Sequence, residues 1–375
     1  MRRLGLAAAA RRVGERYRAS GADLPWGNQL AAHGLAMEGY FWRLTDRAAG
    51  TSVIALIGIN RDRAGSTWAT VGLADWPAGF LRTAALPHGW ADPHRLGARS
   101  GTEFLAEPDR IAVDLGPQAR LEVEIEAPRP WPDRAFGGSS YFQTVPGLNQ
   151  YWHPWLLGGR AHGTAQLDGR TLHLRGAEIY AEKNWGKGGF PDAWWWGQGQ
   201  GFDSDACVAF AGGEITAGPL RTTVTGLVVR LPRECSGQVV RLGNPLTSPV
   251  RARITDDSWS LHGRTLRPAG GWDIRVLGSA PRGAAHVLPV PLPDQRRNVA
   301  GALEHLGGRL EVEVRRHGRL IWRDTSPVAG LEHGGARTRL APPGHLPGGR
   351  VPPARSEGDH ARTRGRIGIA GAGTR

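Results

Sequence analysis

The strongest constraint in this chain is a period of two. Leu121, Val123 and Ile125 alternate with Glu122, Glu124 and Glu126, and Leu310, Val312 and Val314 alternate with Glu311, Glu313 and Arg315. Successive side chains of a strand point to opposite faces, so each run offers one face to a core and one to water. Asp168-Gly169 separates two such runs, 161–167 and 170–179, and suits a type I′ hairpin turn, whose two central residues both take positive φ. His317-Gly318 separates 308–316 from 319–323 in the same way. Further strands are expected at 39–46, 52–60, 66–74, 103–106, 109–115, 194–203, 206–213, 222–231, 249–255 and 272–278. No long amphipathic helix is visible between Gly27 and Gly335, and the 55 glycines fit frequent turns. The pattern predicts an all-β protein of barrel or sandwich type.

A length of 375 residues suits one large or two ordinary domains, and 40% hydrophobic residues are enough for a sizeable core. Pro128, Pro130 and Pro132 interrupt the strand pattern, which places a lobe junction at 128–150. The expected organisation is an N-terminal extension over 1–34, a first β lobe over 35–150 and a second over 151–335. Within the extension an amphipathic helix is expected from Leu4 to Tyr17, with no convincing signal-peptide cleavage site after it. Residues 336–375 are rich in Gly, Pro and Arg and poor in aliphatic clusters. Such a segment cannot bury enough apolar surface to offset its ordering entropy, so a disordered basic tail is expected.

The net charge of +13 comes almost wholly from arginine, since Lys183 and Lys187 are the only lysines. Abundant Gly, Ala, Pro and Arg together point to a GC-rich genome and solvated arginines, and no nucleic-acid partner is expected. Cys207 and Cys235 are too far apart in sequence for a disulfide framework or zinc spacing, and read as free thiols in a reducing, cytoplasmic compartment. No segment approaches the roughly 20 apolar residues of a membrane helix. A lipid substrate is therefore met at a membrane surface or from a carrier, which makes peripheral membrane contact an expectation. Gly158-Gly159 lacks the strand–loop–helix context of a phosphate cradle. No nucleotide, metal or other cofactor is expected, and the oligomeric state stays open.

Fifteen tryptophans outnumber eight phenylalanines and five tyrosines. Seven crowd between 131 and 196: Trp131, Trp152, Trp155, Trp185, Trp194, Trp195 and Trp196, interleaved with His153, His162, Glu182, Lys183, Asn184 and Asp192. Three consecutive tryptophans on one strand point to both of its faces, so at least one meets a pocket, an interface or solvent.

Tyr151-Trp152-His153-Pro154, the following Gly158-Gly159-Arg160-Ala161-His162-Gly163, and Tyr180-Ala181-Glu182-Lys183-Asn184-Trp185-Gly186 with Gly189-Phe190-Pro191 and Trp194–Gln198 carry a resemblance. So do Glu38-Gly39-Tyr40-Phe41-Trp42 near the start and Ala329-Gly330-Leu331-Glu332-His333-Gly334-Gly335 near the end. In this order and spacing, over residues 35–335, the chain resembles the tocopherol cyclase family. The Glu-Lys-Asn-Trp-Gly stretch with its Phe-Pro is the most specific part. The resemblance implies a lipocalin-like fold of two barrel-like β lobes and an intramolecular lyase of the isomerase class. Such an enzyme closes a chromanol ring on a prenylated phenol or quinol, as in vitamin E biosynthesis. The implied partner is a hydrophobic prenylated small molecule.

Ring closure of this kind begins by protonating an alkene, a poor base, and so needs a positioned acid. A carboxyl kept protonated in an apolar site can serve, and Glu182 and Asp192 are the candidates. His153 or His162 is the candidate base for the phenol proton. Trp185, Trp194 and Trp196 would face the cation, with Trp152, Tyr180, Lys183, Asn184 and Phe190 as further substrate-binding residues. Glu182 beside Lys183 also fits a strand-edge ion pair, and the two histidines also fit structural roles. A non-catalytic isoprenoid carrier and an isoprenoid hydratase are the alternative functions.

Overall fold

The computed structural model describes residues 2–24, 27–266, 270–335 and 345–350. After a helix at Arg2–Ala19, they form two antiparallel sheets. In the first, the central strands are Met37–Asp46 and Arg170–Gly186. Thr51–Arg61, Thr67–Trp76 and Leu81–Leu86 continue it on one side. Arg160–Leu167, Ala119–Glu126, Arg110–Asp114 and three shorter strands continue it on the other, and Tyr151–Leu156 pairs with one end of Arg170–Gly186. In the second sheet Ala193–Gly199 pairs with Arg319–Gly335 at the centre. Cys207–Ala217, Leu220–Arg230 and Val239–Leu242 lie to one side, and Arg297–Arg316, Trp272–Ser279, Ser258–Arg264 and Val250–Ile254 to the other.

The period-two runs behave as strands with one wet face. Ala119–Glu126 alternates buried and exposed at every position. Asp168 and Gly169 take φ of 50° and 75°, and His317 and Gly318 take 49° and 80°, the doubly positive pair that a type I′ turn requires. Both sheets curl. Trp42, on a central strand, reaches within 6.2 Å of Phe104 near the far edge of the first sheet. In the second, Leu242 on one edge strand packs against Gly263 on Ser258–Arg264, the third strand beyond the central pair on the other side. Each curled sheet wraps its own apolar core. Ile57, Val71, Phe104, Ile111 and Leu121 belong to the first, and Trp195, Phe210, Val229, Leu261 and Val312 to the second.

The sheets change over between Gly186 and Ala193, not at 128–150. The prolines do stop a strand, but after them the chain returns to the first sheet through Tyr151–Leu156, Arg160–Leu167 and Arg170–Gly186. The first lobe thus extends well past residue 150. The strand expected to end at 179 runs on to Gly186, carrying Glu182-Lys183-Asn184-Trp185 across the centre of the sheet. The composition-based reading of a disordered tail falls mostly outside the described residues. Within it, His345–Arg350 is described as a strand pairing with Arg297–Arg316.

The outer faces of the two central strand pairs pack on each other. Trp152, Tyr180 and Leu157 of the first sheet meet Trp196, Ala209 and Val228 of the second, and Ile54 and Ala74 meet Trp194, Leu288 and Leu306. Polar side chains fasten the contact. Arg43, fully buried, donates to Gln198 Oε1 at 3.1 Å, to Leu306 O at 2.9 Å and to Val328 O. Arg230 Nε donates to Leu157 O at 2.7 Å and Gln200 to Ile179 O at 3.0 Å. Among the described residues no helix is long and apolar enough to cross a membrane.

Candidate active site

Between the packed faces lies a cavity of about 190 Å³. A single water needs only ~10–15 Å³ of such space, so the cavity is of ligand size. It sits between the lobes rather than in the mouth of either barrel. Phe41, Phe190, Trp194, Trp196, Leu56 and Val290 supply much of its apolar wall, and Glu182, Glu304 and Glu332 are its carboxylates.

Strand alternation decides which side chains reach it. On Arg170–Gly186, Tyr180, Glu182 and Asn184 face the second lobe, while Ala181, Lys183 and Trp185 face the other way. Gly39, opposite Asn184 on the neighbouring strand, leaves the space that the Asn184 side chain fills; a β-carbon there would overlap its amide. On Ala193–Gly199 the same alternation turns Trp194 and Trp196 toward the interface and Trp195 into the core of the second lobe.

Glu182 is held by three donors. Tyr180 Oη lies 2.6 Å from its Oε2, and Trp152 Nε1 and Trp196 Nε1 each lie 2.7 Å from the same oxygen. Both indoles can only donate, and burial pushes the Tyr180 phenol well above its ordinary range, so it too is a neutral donor. Oε1 takes none of these bonds and is the oxygen left for a ligand. Burial raises the Glu182 carboxyl above its usual range, and the three donors pull it partly back. Burial thus favours the protonated form of Glu182, while the three hydrogen bonds favour the carboxylate.

Two carboxylates that sequence patterning did not single out complete the cavity. Glu304 and Glu332 stand directly opposite each other on Arg297–Arg316 and Arg319–Gly335. Trp194 Nε1 donates to Glu332 Oε1 at 2.6 Å. The alternate tryptophans of one strand thus each fix a carboxylate, Trp194 holding Glu332 and Trp196 holding Glu182. Burial, with the neighbouring carboxylate, holds Glu304 well above its ordinary range, and burial pushes Glu332 up to about 7. The sequence signal for Glu304 was a carboxylate between Ala302 and Leu306 on an otherwise apolar face; for Glu332 it was a place in the closing Leu-Glu-His-Gly-Gly run.

The other expected site residues fall in three places. Trp152, Asn184, Phe190, Trp194 and Trp196 line the cavity with Glu182, and Tyr180 stands behind it as a hydrogen-bond donor. Lys183, Trp185 and His153 lie outside its lining. Lys183 is buried on the opposite strand face and pairs with Glu38 at 3.1 Å, not with Glu182. It also donates to Ala31 O at 2.8 Å and to His33 Nδ1 at 3.2 Å. Trp185 stacks on His33 and Tyr151 and donates to Gly21 O at 2.8 Å. His153 packs edge-on against Trp131 at 5.3 Å, and burial lowers it to about 3, so it is neutral. His162 and Asp192 lie toward the surface, His162 within 3.5 Å of Glu126 and Asp192 within 3.6 Å of Arg221. Asp192 is 76% exposed and stands outside the cavity lining. Among the described residues no group of three His, Cys, Asp or Glu is placed to hold a metal ion.

Fold and site together define a two-lobed antiparallel β protein with a carboxylate-bearing apolar cavity between its lobes. The chain belongs to the tocopherol cyclase-like family, whose sequence model matches residues 112–335. Among solved structures it is similar to an AttH-type protein from Nitrosomonas europaea, at 13% identity and a TM-score of 0.48, over 83% of this chain and 97% of that one. It is also similar to kievitone hydratase from Nectria haematococca, at 10% identity and a TM-score of 0.47, over 81% and 90% of the two chains.

Proposed function

We propose that this protein is an enzyme that protonates the alkene of a prenylated phenol or quinol and closes a chromanol ring, with Glu182 as the acid. The observation that carries this reading is the Glu182 carboxyl, buried in the wall of an aromatic cavity with three donors on one of its oxygens. The proton moves from Glu182 to the less substituted alkene carbon, and a tertiary carbocation forms beside it. Phe41, Trp194 and Trp196 present aromatic groups to that charge, and a desolvated cation–π contact is worth about 2 kcal/mol or more. The apolar walls keep water from competing with the phenol oxygen for the cation. No cofactor enters this scheme. A hydrophobic substrate of this class would be delivered from a membrane surface.

The test is incubation of the protein and its Glu182→Gln variant with a panel of prenylated hydroquinones, read by mass spectrometry. Wild-type protein should return a product of unchanged mass and altered retention. Glu182→Gln should turn over about 10²-fold more slowly or worse, as expected for loss of a general acid. Ligand quenching of tryptophan fluorescence should persist in the variant. Full activity in Glu182→Gln would remove Glu182 as the acid. Binding without any turnover by wild-type protein would make the chain a carrier, and a product heavier by one water would make it a hydratase.

A further inference from the structure

Alkene protonation accounts for one proton of a ring closure. The second proton must leave the attacking oxygen as the new C–O bond forms. Glu182 sits on the first sheet, and the wall built by the second sheet carries Glu304 and Glu332. These two carboxyls are direct cross-strand neighbours, a placement in which like charges destabilise a sheet. Apart from the carboxyl of Glu332, no hydrogen-bonding group of the described residues reaches either oxygen of Glu304, although it is fully buried. Packing of the lobes has no need of such a pair, and two apolar side chains in its place would serve the interface better. The cavity is where it has a use.

We propose that Glu304 and Glu332 share one proton and together form the base that takes the proton of the attacking hydroxyl. This rests on the reading of Glu182 as the acid. Glu332 is the member that accepts. Its Oε1 is held by Trp194, whose hydrogen bond favours the ionised form, whereas Glu304 has no donor and keeps the shared proton. The other charged and titratable groups facing the pair are Glu182 and Arg43 from the first sheet and His286, which stands opposite Glu304 on the neighbouring strand. Arg43 offsets part of the negative charge, and burial keeps His286 neutral.

The steps balance without an oxidant or a second substrate. A C–H bond forms as the Glu182 O–H bond breaks. The phenol oxygen then gives a lone pair to the cation, and its O–H bond breaks toward Glu332. The substrate and product are isomers. Glu182 ends ionised and the pair ends with two protons; one of these returns to Glu182 through solvent when product leaves. Glu182 and the pair also influence each other by charge. Once Glu182 has given up its proton, its negative charge strengthens Glu332 as a base, at the moment when the phenol must lose its own.

The test uses the full-length protein and a dimethylallyl hydroquinone in D₂O, scoring deuterium in recovered alkene separately from chromanol. Glu332→Gln should keep deuterium uptake within a few-fold of wild type, because the acid is intact, while chromanol formation falls by about 10²-fold or more. The rising limb of kcat/KM against pH, set by a group near 7 in the wild type, should disappear with it. Glu304→Gln takes away the carboxyl whose hydrogen bond lowers Glu332, and should shift that limb toward higher pH. Both variants replace a buried ionisable carboxyl by a neutral amide of the same shape and should melt no lower than wild type. Ring closure at wild-type rate in both, with an unmoved limb, would overturn the assignment. So would loss of deuterium uptake along with ring closure in folded Glu332→Gln, which would place the pair in the protonation step instead. The free protein gives a readout without turnover. Infrared difference spectra should show one carboxyl losing its proton through about pH 7, absent in Glu332→Gln. No such step in wild type would overturn the shared-proton pair. Failure of the acid reading looks different: no deuterium uptake by wild-type protein.

Discussion

Trp194 shows how closely single residues set this site. Its indole lies over Gly334, where an added β-carbon would overlap the ring. Gly330 makes similar room where Trp196, Arg43 and Glu304 meet. Neither glycine is needed for its backbone conformation; each is needed for its missing side chain. Gly334→Ala should therefore push Trp194 off Glu332 and into the cavity. The expected cost is about 1–3 kcal/mol, the usual range for overpacking. Urea denaturation followed by tryptophan fluorescence measures it, and an unchanged midpoint with unchanged ligand quenching would show that the ring has another place to go. Glu182 was legible in the sequence because burial among tryptophans leaves a carboxylate either paired or protonated. Glu304 and Glu332 were not, because alternation tells which residues share a face but not which two faces of two sheets meet. The tryptophan triplet was half legible: it had to point both ways, and only the fold shows Trp195 packed into the core of one lobe with its neighbours packed against the other lobe.

At the scale of elements, the strand Arg170–Gly186 has two functions on its two faces. Glu182 serves the cavity, and Lys183 anchors the segment that follows the N-terminal helix. Lys183 gathers Glu38 Oε2, Ala31 O and His33 Nδ1. Because the ammonium donates to Nδ1, the His33 proton sits on Nε2 and is given to Asp23 Oδ2 at 2.9 Å. Glu38 Oε1 accepts the backbone N–H groups of His33 and Gly34 at 2.7 and 2.8 Å. Burial works against ionisation of Glu38, yet Lys183 and its other partners hold it below the usual carboxylate range. Lys183→Met would leave that carboxylate buried without its cation, at an expected cost of about 3–5 kcal/mol. Limited proteolysis should then cut first within residues 20–35, and adding Glu38→Gln should restore much of the loss. Substrate quenching that vanished in Lys183→Met while the melting temperature held would return Lys183 to the binding site. Many strands were legible from period two, but 308–316 and 319–323 are only the hairpin ends of Arg297–Arg316 and Arg319–Gly335, and Leu81–Leu86, Ser258–Arg264 and His286–Leu292 were not expected. The lobe junction was not. Proline marks where a strand stops, but the decision to re-enter the same sheet rests on long-range pairing between Met37–Asp46 and Arg170–Gly186, which no local pattern records.

For the molecule as a whole, the carboxyls that line the cavity also tie its stability to pH. Glu182 and Glu304 are held above the ordinary value of 4.5, and Glu332 is raised to about 7. A carboxyl with a raised folded pKa contributes fully while both states are protonated, and that contribution is lost as pH rises through the folded value. These three groups therefore favour the folded state less and less from about 4.5 upward, through and beyond 7. Buried histidines act in the opposite sense. His153 is lowered to about 3 and His305 to about 4, from 6.5, so the unfolded chain binds the extra protons and stability rises with pH across that window. Up to about 6.5 the two trends oppose each other; above it the histidines are spent and only the carboxyls remain. Melting temperature should thus peak near or slightly below neutrality and decline on the alkaline side. The double variant Glu304→Gln, Glu332→Gln should flatten that decline and steepen the rise below about 6.5, where the histidines are then opposed by fewer carboxyls. Scanning calorimetry from pH 5 to 9 on both proteins measures this directly. An alkaline slope equal in the two would mean that the pair titrates in the folded chain as it does in the unfolded one, and that the cavity does not hold its shared proton.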